Sequence, residues 1–145
     1  MEVTKVGMTM MVQKTDIEKG SFKVAYKATC EPCIPEFAQN IVCAKQAYVK
    51  DTNSKPSGFP AFDDQVSLLR TEMKSLVWAA ALLDHVYEFI DSRNPSPVID
   101  IPCFRFVKAA LGSEGLEKNQ AHRQAYLIEE YIDPSQEGSV RFITL

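Results

Sequence analysis

Only two histidines, His85 and His122, occur in the chain, and no apolar run approaches the roughly 20 residues that a membrane-spanning helix requires. The N-terminal stretch "MEVTKVGMTMMVQKTD" lacks the basic end, long apolar core and small-residue cleavage site of a signal peptide. The chain is therefore expected in the cytosol or nucleus, with no membrane partner and with Cys30, Cys33, Cys43 and Cys103 reduced. There is no basic excess: the net charge is −3, which argues against a general nucleic-acid binder. Neither G-x-G-x-x-G nor G-x-x-x-x-G-K-[ST] is present, and there is no low-complexity tract.

What remains is an ordinary globular composition, 46% hydrophobic and 24% charged, in a length that predicts one domain over residues 1–145. Residues 3–12 read as a first strand, and "TDIEKG" (15–20) as a turn. "SFKVAYKATC" (21–30) alternates: Phe22, Val24, Tyr26 and Ala28 on one face, Lys23, Ala25, Lys27 and Thr29 on the other. In a third strand, 41–49, Lys45 falls among Ile41, Cys43, Ala47 and Val49, a set that reads as a buried face. A lone ammonium there is costly unless an anion meets it.

"KDTNSKPSGFPAFDD" (50–64) has a loop's composition, with Asp63 or Asp64 as helix cap. From 65 to 91, Val66, Leu69, Met73, Leu76, Val77, Ala80, Leu83, Tyr87 and Ile90 form one stripe at three- and four-residue steps. The spacing predicts a helix about 40 Å long. This stripe and Trp78 are read as core. Strands are expected over 98–111 and 123–132, with "GSEGLEKNQ" as the turn between them. The sum is α+β: about five largely antiparallel strands with one long helix packed on them.

Four segments, in order, resemble the N-terminal lobe of the alpha-type (atypical) serine/threonine protein kinases. "GSFKVAYKA" is similar to the family's glycine-led strand, and fungal members carry a GSFK-like form; "VCAKQAYV" is similar to the strand bearing the nucleotide-binding lysine. "LRTEMKSLVWAAALLDHVYEFI" resembles the long helix, and "YLIEEYIDPSQEGSVRFITL" the hinge. The resemblance implies ATP as ligand. Lys45 and Lys23 would meet its phosphates, Glu129 would read the adenine edge, and backbone groups of Tyr131 and Ile132 would meet the base. Gly20 would open the strand where a side chain would crowd the loop. On this reading the counter-ion of Lys45 is a phosphate that arrives with the nucleotide.

Phosphoryl transfer also needs magnesium ligands and a group that positions the acceptor hydroxyl. In the family these belong to a C-terminal lobe, and no residue up to Leu145 takes such a role. No catalytic or metal-ligating residue is assigned, magnesium is expected only with that second lobe, and the chain alone is expected to be inactive. A fragment, a truncated product or a retained binding lobe would all fit. The cleft side of the sheet is expected to expose apolar area and to favour self-association.

Simpler readings compete. Lys45 could snorkel at a sheet edge, Lys23 and Lys27 could share a solvated face, and Tyr131 and Ile132 could be core. Alternation allows at most one of Glu129 and Glu130 to point into any cleft. Glu72 could pair with Lys45, as kinase helices often arrange, but an ordinary i,i+4 or cap-region charge pair is the expectation. "CEPC" (30–33) lacks the partner ligands of a zinc site and runs into prolines rather than a redox helix. The competing class is a non-enzymatic protein-interaction module that binds no nucleotide.

Overall fold

A computed structural model describes residues 6–50, 56–93, 103–115 and 123–133. Its elements are β1 (Thr9–Lys19), β2 (Lys23–Glu31), β3 (Ile41–Ala47), β4 (Val49–Lys50), β5 (Pro56–Gly58), α1 (Phe62–Ser92), β6 (Ala109–Ser113) and β7 (Ala125–Glu130). Five strands form one sheet in the order β1-β2-β3-β7-β6, every neighbour antiparallel, and β4 and β5 make a separate two-stranded ribbon. The architecture is α+β, a long helix packed on an antiparallel sheet.

Register divides the sheet into two faces. Ala25 opposes Lys45, which opposes Leu127, which opposes Leu111; Ala28 opposes Val42, and Ala44 opposes Ile128. Because side chains alternate, Lys23, Ala25 and Lys27 share a face with Cys43, Lys45, Leu127 and Glu129. The other face carries the larger core: Ala28, Cys30, Val42, Ala44 and Ile128, closed by Ile34 and flanked by Met10, Phe37 and Tyr126. The buried face of β3 is thus Val42, Ala44 and Gln46, not the odd-numbered set that includes Lys45. The odd positions Ile41, Cys43 and Lys45 are half-buried, and Ala47 alone among them is fully covered.

The helix covers part of the lysine-bearing face. Phe62, Val66, Leu69, Met73 and Leu76 pack on Ala125, Leu127 and Ala109, so α1 lies over the β7–β6 end of the sheet. Every residue of the stripe read from the sequence is buried or half-buried. Trp78 is not: it is 70% exposed, because it sits about two and a half turns from Leu69 and so faces away from the sheet.

A buried amide locks the start of the helix. Gln65 is 1% exposed; its Nε2 donates to the Pro60 carbonyl (2.8 Å) and to Gln124 Oε1 (3.2 Å), and its Oε1 accepts from the Ala125 N–H (3.1 Å). One side chain thereby ties the helix entry to β7, an interior strand of the sheet. The helix begins earlier than its apolar periodicity suggests, at Phe62, and no side chain caps it. Ala61 holds the cap position, and Asp63 and Asp64 lie in the first turn, where the helix dipole favours negative charge.

Other boundaries differ for local reasons. β1 runs through the expected turn at 15–20, absorbing it in irregularities between Val12 and Asp16 and between Asp16 and Glu18. The expected loop at 50–64 contains part of the β4–β5 ribbon and the first turn of α1. The expected strand at 98–111 is realised only from Ala109, while residues 103–108 are irregular; its first residues, 98–102, lie outside the described set, as do most of "GSEGLEKNQ" and the residues after Asp133. Among the described residues no helix is long and apolar enough to cross a membrane.

Candidate functional site

The shelf beside the helix brings Lys45 and Glu129 together. β3 and β7 are hydrogen-bonded neighbours, and both side chains rise from the helix-bearing face; Lys45 Nζ lies 2.6 Å from Glu129 Oε2. Glu129 is almost buried, with its side chain 10% exposed, against 29% for Lys45. Burial pulls the Lys45 ammonium down. The Glu129 carboxylate reverses this through its charge and its hydrogen bond, with further help from Cys43 and Glu72, so Lys45 titrates above its ordinary 10.5. The counter-ion of Lys45 is therefore resident: a carboxylate two positions along the neighbouring strand, where a phosphate was expected.

Lys23 stands on the adjoining strand, on the same face and one diagonal step from Lys45. It forms an ion pair with Glu72, which the helix brings to the edge of the shelf. Glu72 thus pairs across 49 residues of sequence and not within its own helix, contrary to the i,i+4 expectation. Lys27, one step further along β2, holds its ammonium 4.7 Å from the centre of the Tyr131 ring. The result is an alternating patch of three ammonium groups, two carboxylates and one aromatic ring.

Other expected residues occupy the rim. Gly20 closes the β1–β2 hairpin: its N–H donates to Lys23 O (2.9 Å) and its carbonyl accepts from the Tyr48 hydroxyl (2.6 Å). Crowding does not explain the glycine. A Cβ placed there would meet only Lys23 O, at 3.6 Å, an ordinary contact. The Tyr131 carbonyl already accepts from Gln39 Nε2 (2.9 Å), and Ile132 is 48% exposed.

Glu130 points to the opposite face, as alternation requires. It accepts from Arg105 (2.6 Å) and from the Lys108 N–H (3.1 Å). Burial pushes its carboxyl up, but these two donors and the charges of Arg105 and Lys108 outweigh that and hold it below its ordinary 4.5. Sequence reasoning missed Arg105 and Gln65. Arg105 stands in an irregular segment with no periodic signal, and a glutamine at a helix start reads as a surface residue.

A shallow groove of about 400 Å³ on the sheet's other face is lined by Val12, Tyr26, Phe59, Tyr126 and the amides of Gln13, Gln46 and Gln124. None of the residues proposed for nucleotide contributes to it. The Cys30 thiol is buried, and that burial, with Cys33 nearby, pushes its pKa up; Cys33 is exposed. The shift at Cys30 is opposite in direction to the lowered thiol pKa of a redox centre.

No protein-family model, no curated protein and no solved structure matches the chain.

Proposed function

We propose that the chain is a nucleotide-binding lobe of the alpha-type protein kinase kind, with ATP seated on the helix-side shelf. One observation carries the reading: Lys45 and Glu129 meet on one face at 2.6 Å, with Lys23 on the next strand of that face. In the proposed complex the polyphosphate takes the Lys45 and Lys23 ammonium groups. The released Glu129 carboxylate then accepts from the exocyclic amine of adenine. Two strand-borne cations are rigid enough for such a clamp, and a multiply charged anion competes well against single carboxylates. Residues that would ligate magnesium and position an acceptor hydroxyl are not assigned in this chain, so the activity proposed is binding.

A second reading draws on the same contacts. Both Lys23 and Lys45 already have carboxylate partners, so the shelf is electrostatically satisfied by the chain itself. That arrangement suits a non-enzymatic interaction module that never meets nucleotide.

Thermal melting in Mg-ATP separates them. At 100 times its Kd, ATP stabilises by about 2.7 kcal/mol, which for a domain of this size raises Tm by about 8 °C. Lys45→Ala combined with Glu129→Gln, so that no carboxylate is left unpaired, is expected to abolish the shift. A wild-type Tm that stays flat up to millimolar Mg-ATP rejects the nucleotide reading and favours the interaction module.

A further inference from the structure

The outer face of α1 carries an apolar ridge that the sheet does not use. Trp78 is 70% exposed, Leu82 63%, Val86 51% and Phe89 59%. Their steps of four, four and three residues align them on one side of the helix, roughly opposite the Leu69 stripe that packs on the sheet. Ser75 and Thr71 continue the ridge toward the N-terminus without bulk, and Ala81 at its border is small and exposed. A contiguous ridge of this kind on a helix is a packing surface.

Charge along one flank of the ridge says what packs there. Arg70 and Lys74 lie on it toward the N-terminal end and Glu88 toward the C-terminal end, each within about a quarter turn of Trp78. Over residues 70–92, the stretch that overlaps in an antiparallel pair, the flank is positive toward one end and negative toward the other, which is self-complementary when a second identical helix runs the opposite way. We propose that the protein forms an isologous dimer by antiparallel pairing of α1 with α1 of a second copy, about a two-fold axis near Ala81. That axis seats Trp78 against Leu82 of the second copy, twice by symmetry, and Thr71 against Phe89. On the flank it places Lys74 opposite Glu88 of the other copy.

Glu88 also faces His85 on its own helix, 3.0 Å away, but both side chains are largely exposed and free to exchange partners. The sheets lie on the far sides of the two helices, so the pairing meets no steric obstacle from them. Parallel pairing would instead turn the charged flank toward the partner's Glu72–Ala79 side, where the one carboxylate, Glu72, is already held by Lys23. The interface spans about five helical turns, a small one, so weak, concentration-dependent association is expected.

Sedimentation velocity of the full chain from about 1 to 300 µM tests the proposal. The expected result is a shift from the 16.3 kDa monomer to twice that mass with rising concentration. Trp78→Glu or Leu82→Glu should abolish the shift with unchanged helicity by circular dichroism, since neither side chain supports the sheet core. Lys74→Glu and Glu88→Lys should each weaken association at least fivefold, and the two together should restore it. A wild-type monomer across the range, or a dimer indifferent to Trp78→Glu, overturns the interface; failure of the double charge variant to recover overturns the antiparallel arrangement.

Discussion

The Lys45–Glu129 pair can be measured directly, because each partner can lose its charge while keeping most of its shape. At 2.6 Å and an effective dielectric of 20, the gross attraction is about 6 kcal/mol. Desolvation of Glu129 and the partial exposure of Lys45 remove most of this, leaving a coupling of about 1–2 kcal/mol. A double-mutant cycle by urea unfolding, with Lys45→Met, Glu129→Gln and both, isolates the coupling. Lys45→Met is expected to be the costliest of the three, since it strands a carboxylate whose side chain is only 10% exposed. The double variant should recover part of that loss. The titration has a definite sign: the folded pKa of Lys45 lies above its unfolded value. The stabilisation is therefore fully present below about pH 10.5 and is lost as pH rises through the higher folded value. Coupling below about 0.3 kcal/mol at pH 7 would mean that the ammonium is not held by Glu129 in solution, and the electrostatic account of the shelf would fall with it.

Glu130 governs the acid side. Its folded pKa is depressed, so its stabilisation is present above pH 4.5 and is lost as pH falls through the folded value; Glu130→Gln should flatten the acid limb of a stability–pH curve and leave the alkaline limb unchanged. Gly112 and Gly20 are expected to behave oppositely on substitution by alanine. A Cβ at Gly112 would stand 2.7 Å from Cδ1 of the buried Ile128, a clash that costs about 1–3 kcal/mol. At Gly20 the 3.6 Å contact is ordinary, and Gly20→Ala should change the urea midpoint by less than about 0.5 kcal/mol equivalent.

The elements whose identity depends on local pattern were legible in the chain. Alternation in β2 and the three-four stepping of α1 arise from backbone geometry that acts within a few residues, and both appear where the pattern puts them. Alternation by itself also separates Glu129 from Glu130. Quantities that require knowing what lies opposite were not legible. The odd-numbered positions of β3 look more apolar than the even ones, yet the even face is the more deeply buried. Ile34 and the chain around Phe37 fold over it, while the helix covers only part of the other face. Trp78 has the composition of core and the angular position of surface, and only the packing of Leu69 on Leu127 settles which property prevails.

The site divides the same way. The sequence by itself determined that Lys45, Lys23 and Glu129 stand on strands, with side chains committed to one face or the other by a period of two. Which strands lie side by side was decided by the tertiary structure, and with it the carboxylates that reach those ammonium groups. Ion pairs between residues 49 or 84 positions apart depend on strand order and helix placement. Both are set by the burial of apolar surface summed over the whole chain, a non-local quantity that no short motif carries.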